Sequence, residues 1–188
     1  NLTVSANTIT TSGSFSYGIE ALNFVAGISV NNTLSGNIIT TSGGGAHGIY
    51  LDSSSSLNIT GNRINTTGNN ADGVNIAYNS DNNIFSLNNI TNSGRDAFGF
   101  SIDGANRPEN NNLINNTLLD ITGYDIIFGS AGINGTHLID QVITNYSFTG
   151  EGGTIYIKDS AFGEIYFFKP VNGTGANLSK DIKITNNS

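Results

Sequence analysis

A four-position pattern recurs along most of the chain and constrains the fold more than any other feature of the sequence. It consists of an apolar residue, Asn three positions later, Ile or Leu two positions after that, and Gly four or five further on. The copies begin at Val4, Leu34, Ile59, Phe85 and Leu113. A sixth copy, at 138–143, has Gln in place of Asn and lacks the Gly. The anchors at positions 7, 37, 62, 88, 116 and 141 are 25 to 30 residues apart, which is the period of a solenoid coil.

A second motif follows the first at a fixed distance. Gly lies eleven residues after the Asn in four copies and precedes an apolar residue each time, at Gly18, Gly48, Gly73 and Gly99. Apolar residues then alternate with polar ones, which is typical of short strands with one buried face. The sequence therefore predicts an all-β, right-handed parallel β-helix with about six to seven coils of about 25 residues.

Two columns of residues follow from stacking these coils. Asn side chains at one phase can hydrogen-bond along the axis, as amides do in cross-β stacks. The predicted structural ladder contains Asn7, Asn37, Asn62, Asn88, Asn116 and Gln141. The predicted core column contains Ile9, Ile39, Ile64, Ile90, Leu118 and Ile143.

Composition narrows the function classes. Only 11% of the 188 residues are charged and the net charge is -7, which removes the basic surface that nucleic-acid binding requires. The chain contains no Cys, so disulfides and thiolate metal sites are excluded. No apolar run is long enough to span a membrane. We expect no nucleic-acid partner and no membrane span in this segment.

Two segments carry a resemblance to a known family: Leu-Ser-Gly-Asn-Ile-Ile at 34–39 and Gly-Ile-Tyr-Leu at 48–51. They resemble the right-handed parallel β-helix repeats of the pectin-lyase-like superfamily, especially the NosD-type repeats of archaeal and bacterial surface proteins. The resemblance covers roughly residues 1–143. It implies a β-helix at the cell surface, but that scaffold serves lyases, hydrolases, epimerases, phage tailspikes, adhesins and surface-layer components alike.

The domain organisation follows the repeat. Residues 1–144 are predicted to form the β-helix coils. Residues 145–188 depart from the pattern and contain an aromatic cluster around 162–168, which indicates a terminal coil or a cap-like β segment that leads into further protein.

Sugar-cleaving enzymes require paired carboxylates, and no convincing pair is present. Asp52 and Asp103 share a phase two coils apart, roughly 10 Å by the coil rise. His47 and Asp72 share a phase in adjacent coils, with Arg95 and Asp96 nearby in the next coil, and these four are the candidates for a catalytic or metal-binding corner. The alternative is that Asp and Asn serve the turns locally. His137 is expected to be a solvated turn residue.

Two further features concern sugars. Tyr17, Tyr50, Tyr78 and Phe98 are candidates for a shallow glycan-binding face, since sugars stack on aromatic rings. Sequons for N-glycosylation occur in excess, and their candidate acceptors are Asn31, Asn58, Asn65, Asn89, Asn115, Asn134, Asn145, Asn172 and Asn177.

The sequence thus favours a non-catalytic, extracellular β-helix segment of a larger surface protein, acting as a rigid structural module or contacting glycans or other partners. Its partners would be neighbouring domains, copies of the same surface protein, or glycans. No cofactor or metal is expected, although calcium stays an open alternative. The rival hypotheses are a polysaccharide lyase, hydrolase or epimerase-like enzyme, a carbohydrate-binding domain, and a trimeric receptor-binding spike.

Overall fold

The computed structural model is a parallel β-solenoid. It describes residues 2–22, 32–102, 108, 111–114, 116–119, 121–122 and 126, and beyond these the backbone of the strands at 127–128, 136–137, 141–144, 147–149, 155–158, 160–161, 165–168 and 182–185. In the part of the chain so described, no helix has the length and hydropathy needed to cross a membrane.

Three parallel sheets run along the solenoid, and the chain visits them in rotation. Sheet 1 contains β1 (Thr3–Ser5), β4 (Asn32–Ser35), β7 (Leu57–Thr60), β10 (Ile84–Ser86), β13 (Asn112–Ile114), β17 (Gln141–Thr144) and β21 (Ile165–Phe168). Sheet 2 contains β2 (Thr8–Thr11), β5 (Ile38–Thr41), β8 (Arg63–Thr66), β11 (Asn89–Asn92), β14 (Thr117–Leu119) and β18 (Ser147–Thr149). Sheet 3 contains β3 (Ile19–Leu22), β6 (Ile49–Asp52), β9 (Val74–Ala77), β12 (Phe100–Ile102), β15 (Ile126–Phe128), β19 (Ile155–Lys158) and β22 (Ile182–Thr185). Strands β16 (Thr136–His137) and β20 (Ser160–Ala161) form a separate pair.

The fold class predicted from the repeat is confirmed. Four coils are described through all three sheets, at 2–22, 32–52, 57–77 and 83–102, against the six to seven coils predicted. Further strands extend the sheets to seven, six and seven members. Strands within 147–185 pair with all three sheets, so strands of the predicted terminal segment continue the solenoid.

Two of the three corners have constant length in the described coils. The corner from sheet 1 to sheet 2 has two residues, and the second of them is the repeated Asn. The corner from sheet 2 to sheet 3 has seven residues, at 12–18, 42–48, 67–73 and 93–99. We call these the seven-residue corners. The return from sheet 3 to sheet 1 varies, with nine residues at 23–31 but four at 53–56. The variation in repeat length therefore comes from this return.

The core is a stack of inward side chains from successive coils. Register pairs Ile9, Ile39, Ile64, Ile90 and Leu118 in sheet 2. All but Ile9 are completely buried, since the first coil has a described neighbour on one side only. In the middle of the stack, the rings of Phe85 and Phe100 meet edge to face with centroids 5.6 Å apart, a favourable geometry for aromatic pairs.

The prediction for the sixth copy of the repeat was wrong, because it assigned these residues to sheet 2 and they lie in sheet 1. Register places Ile143 opposite Leu113 in sheet 1, whereas Leu118 in sheet 2 is opposite Phe148. Gln141 lies at the start of β17, at the phase of Asn111, and so does not extend the ladder through Asn116. The cause is an ambiguity in the pattern, because Asn-X-apolar occurs in sheet 1 as well as at the corner before sheet 2.

Stacking explains why the seven-residue corners need Gly. A Cβ on Gly43 would lie 2.0 Å from the Gly13 carbonyl oxygen in the coil before, and one on Gly68 would lie 1.9 Å from that of Gly43. No side chain fits between backbones that approach so closely. The Gly column therefore permits the coils to stack at this corner.

A pair of lysine substitutions on one strand tests the register. Ile64 is completely buried, whereas its neighbour Asn65 faces outward and is exposed. We expect Ile64→Lys to abolish folding because an unpaired charge would enter the apolar core, and Asn65→Lys to leave it unchanged. Far-ultraviolet circular dichroism and thermal melting would measure both. An Ile64→Lys protein with the normal spectrum and melting temperature would refute the register.

Candidate functional site

A ladder of Asn side chains runs beside sheet 2. Nδ2 of Asn37 donates to Oδ1 of Asn62 at 2.9 Å, and Nδ2 of Asn62 donates to Oδ1 of Asn88 at the same distance. The ladder starts at Asn7 and reaches Asn116. From Asn37 to Asn116, each Oδ1 also accepts the backbone N–H of the Asn in the coil before, at 3.0 to 3.1 Å. The second Nδ2 hydrogen reaches a backbone carbonyl of that coil, for example from Asn62 to Leu34 at 2.9 Å. An inner Asn thus uses all its hydrogen-bonding capacity.

Sequence reasoning missed a second, interrupted ladder beside sheet 1. Oδ1 of Asn32 accepts the N–H of Leu2 at 2.8 Å, and Oδ1 of Asn83 accepts that of Leu57 at 2.9 Å. Asn111 does the same for Asn83 at 3.0 Å. The sequence does carry a pattern for this ladder, namely an Asn two positions before the inward residue of sheet 1. The pattern is interrupted in the third coil, where Leu57 takes the place of Asn. Buried Asn residues are therefore structural at two phases of the coil.

The seven-residue corners bring His47 and Asp72 together, as their shared phase predicts. Nδ1 of His47 accepts the backbone N–H of Asp72 at 2.9 Å and lies 3.4 Å from its Oδ2. Oδ1 of Asp72 accepts the N–H of Phe98 at 2.9 Å, and Oδ2 accepts a hydrogen from Asn75 at 3.0 Å. Both side chains are largely buried, and these contacts link three successive coils. The His47–Asp72 pair therefore links adjacent coils of the solenoid.

Burial lowers the pKa of His47 from 6.5 to about 4. The nearby Asp72 carboxylate would favour the charged form, but the geometry agrees with the lowered value. If Nδ1 were protonated, it could no longer accept the Asp72 N–H, and two N–H donors would face each other. His47 is accordingly neutral at pH 7, and its proton is carried on Nε2.

Arg95 and Asp96 lie in the next corner but do not complete a catalytic cluster. Arg95 Nε is 3.4 Å from Asp96 Oδ2, and their side chains are 78% and 70% exposed. An ion pair so exposed contributes little to stability. The four candidates thus separate into a buried structural pair and a solvent-exposed pair. No group of three or more His, Cys, Asp or Glu residues is close enough to hold a metal ion within the described part of the chain.

Three aromatic rings pack together on the outside of this corner. The rings of Tyr17 and His47 stack with centroids 5.4 Å apart, and Tyr50 lies 4.7 Å from Tyr17 and 5.8 Å from His47. Burial, aided mainly by the Asp52 carboxylate, raises the pKa of Tyr50 to about 12, so the phenol keeps its proton. Tyr17 and Tyr50 are thus brought together, whereas Tyr78 follows β9 and Phe98 is half-buried beside Asp72.

Sequence reasoning missed Phe15, which lines a surface groove together with Tyr17 and His47. Phe15 is 71% exposed and has φ 54°, in the left-handed region that a bulky residue rarely adopts. The same corner position holds Gly45, Asn70 and Asp96 in the next three coils, all residue types that tolerate this conformation better. The sequence pattern that could have identified Phe15 is an aromatic residue at a repeat position that otherwise holds Gly, Asn or Asp.

The remaining candidates have simpler outcomes. Asn58, Asn65 and Asn89 are exposed on strands, and each is followed by an inward residue and then by Thr. Strand alternation therefore generates these sequons. Asp103 and the acceptors Asn31, Asn115, Asn134, Asn145, Asn172 and Asn177 lie outside the described residues. His137 is described only as backbone in β16.

The ladder can be tested by truncating one inner amide. Asn62→Ala leaves the Asn37 N–H and the Leu34 carbonyl without their side-chain partner, at about 1–3 kcal/mol for each buried group. We expect a large loss of the free energy of unfolding in urea titrations. Asn58→Ala, which removes an exposed amide, is the control. Equal stabilities for the two variants would contradict the role of the ladder.

The shifted pKa of His47 predicts an acid-dependent loss of stability. Because the folded pKa of about 4 lies below the unfolded value of 6.5, the unfolded state takes up a proton first as pH falls. The free energy of unfolding should fall by at most about 1.4 kcal/mol per pH unit between these values. His47→Gln should lack this component while keeping an acceptor for the Asp72 N–H. If urea denaturation gave the same pH dependence of the free energy of unfolding for both proteins, His47 would not be the source of the acid-dependent loss.

A family model described as "Periplasmic copper-binding protein (NosD)" matches residues 1–123. No curated protein matches, and no solved structure matches. The matched residues comprise the four coils described above and most of the fifth.

The residues present do not fit a copper ion. Cu(I) prefers Cys and Met sulfur and Cu(II) sites are usually built around His nitrogen, and this sequence has no Cys, no Met and only two His. Nδ1 of His47 is already an acceptor for a backbone N–H. Among the residues with described side chains, no cluster supplies a set of metal ligands.

The family's description places it in the periplasm, in agreement with the extracellular or cell-surface location expected from the sequence. The family model extends over about two-thirds of the 188 residues, and the matched region folds as a parallel β-solenoid. The chain therefore belongs to the NosD family of β-helix proteins.

Proposed function

We propose that this chain is a non-catalytic, rigid module of a larger extracytoplasmic protein, and that it works without a bound copper ion. The observation that carries the proposal is that His47, Asp72 and the inner Asn residues of the ladder use their polar side-chain atoms on contacts within the solenoid. In the pair best placed for acid–base chemistry, His47 Nδ1 and Asp72 Oδ1 accept backbone N–H groups of neighbouring coils, and Asp72 Oδ2 accepts a hydrogen from Asn75 in its own coil. A general acid or base must instead reach a substrate.

Rigidity follows from the way the coils are joined. Each coil pairs with the next through backbone hydrogen bonds in three sheets and through the Asn ladder. Bending the solenoid would stretch bonds in at least one sheet and in the ladder at once. Such a module suits a spacer or support that holds other parts of a surface protein at a fixed separation.

The proposed partners are neighbouring domains or copies of the same surface protein. Parallel sheets of this kind can be continued by a strand from another domain or another copy, which would pair with a strand at the end of a sheet. The net charge of -7 would suppress non-specific association between such modules.

The competing hypothesis is a polysaccharide-cleaving enzyme that uses His47, Asp72, Arg95 and Asp96. We expect the purified chain to shorten none of a panel of neutral and acidic polysaccharides, as measured by size-exclusion chromatography and release of reducing ends. Depolymerisation by the wild-type protein that is lost in both Asp72→Asn and Asp96→Asn would overturn the proposal. Activity that persists in both variants would indicate a contaminating enzyme.

A further inference from the structure

A shallow groove of about 370 Å³ opens beside the aromatic cluster at the first three seven-residue corners. Its lining includes Phe15, Tyr17, His47, Ser14, Asn69 and Asn70. The volume lies within the range typical of small-ligand sites. It has room for one or two sugar rings.

Phe15 forms one side of this groove at an energetic cost. Its backbone is in the left-handed region and its ring is mostly exposed to water, so neither local conformation nor burial favours Phe here. The ring lies over Gly45, where a Cβ would come within 2.5 Å of Cε1. Gly45 thus leaves space for the ring. An exposed aromatic ring supported in a strained position suggests a binding role.

The polar groups of the groove are uncharged and face solvent. Asn69 accepts the Arg95 backbone N–H through Oδ1 at 3.1 Å, which leaves its Nδ2 available to a ligand. Asn70 and Ser14 are exposed. None of the described lining side chains is charged, because burial keeps His47 neutral. Amides and hydroxyls without a cation suit a neutral ligand with many hydroxyl groups.

We propose that this groove binds an uncharged pyranose unit of a glycan. The apolar C–H face of the sugar would pack on the Phe15 ring and the neighbouring Tyr17, since aromatic side chains offer a large apolar face. Its hydroxyl groups would bond to the Asn69 and Asn70 amides and to Ser14. Acidic sugars are disfavoured, since no described side chain in the groove would pair with a carboxylate. The proposal rests on the non-catalytic role above, because the glycan is held and not cleaved.

The test uses saturation-transfer NMR and titration with neutral oligosaccharides of glucose, galactose, mannose and N-acetylglucosamine, with uronate oligosaccharides for comparison. We expect transfer to at least one neutral glycan and none to uronates. Phe15→Asn should weaken binding at least about tenfold by removing the ring. The variant should also melt at a higher temperature, because Asn tolerates the left-handed conformation that Asn70 adopts in the third coil.

Leu87→Asn is the matched control. Leu87 is also an exposed apolar residue in the left-handed region, with 63% exposure and φ 57°, but it lies at the corner between sheets 1 and 2, away from the groove. It should likewise raise the melting temperature while leaving glycan affinity unchanged.

Three results would overturn the groove as a glycan site. They are absence of transfer to every neutral glycan, equal binding by Phe15→Asn and wild type, and a wild-type dimer in light scattering that Phe15→Asn makes monomeric. The last would mean that a second copy covers the groove. Mass analysis of the recovered glycan separates the two proposals. Intact bound glycan supports both, cleaved glycan overturns only the non-catalytic role, and failure to bind overturns only the site.

Discussion

The need to satisfy buried amides holds this solenoid together. An Asn side chain with no access to water must fill two donor and two acceptor positions, and an unfilled position costs more than a filled one gains. Asn62 is 1% exposed, and its side-chain partners all lie in the coils before and after it. One coil cannot satisfy its own amide. Stacking in one register is therefore a condition of burial for the Asn residues from Asn37 to Asn116.

The register set by the ladder determines what the seven-residue corners can do. Once the coils are aligned, His47 lies beside Asp72 and Phe15 lies beside Gly45. The first pair spends its polar atoms on holding three coils together, so its proximity has no catalytic consequence. In the second pair, a missing side chain in one coil makes room for an exposed ring from the other. The same stacking thus removes one candidate site and creates another.

The fold class was predictable because inward-facing residues repeat at constant phase while outward-facing ones vary. Phase alone was ambiguous where two sheets carry the same short pattern, and for that reason Gln141 and Ile143 were assigned to the wrong column. Phase also brought His47 and Asp72 together correctly, but it could not reveal that Nδ1 accepts a backbone N–H. Phe15 was missed since its importance depends on a left-handed φ and on Gly45 one coil away. Sequence periodicity predicts which residues lie side by side in adjacent coils. Which hydrogen bonds their atoms form depends on the three-dimensional geometry.

The unequal corner lengths have a consequence for how such a protein can change. Every ladder bond is made at the two-residue corner, and the close Gly contacts lie in the seven-residue corner, so an insertion at either would shift a whole coil out of alignment. The return from sheet 3 to sheet 1 already differs by five residues between successive coils, from nine to four, while the ladder remains continuous. New segments, including whole binding loops, can be grafted there one coil at a time. The solenoid is in this respect a display scaffold, because the return from sheet 3 to sheet 1 can vary in length and sequence whereas the other two corners cannot.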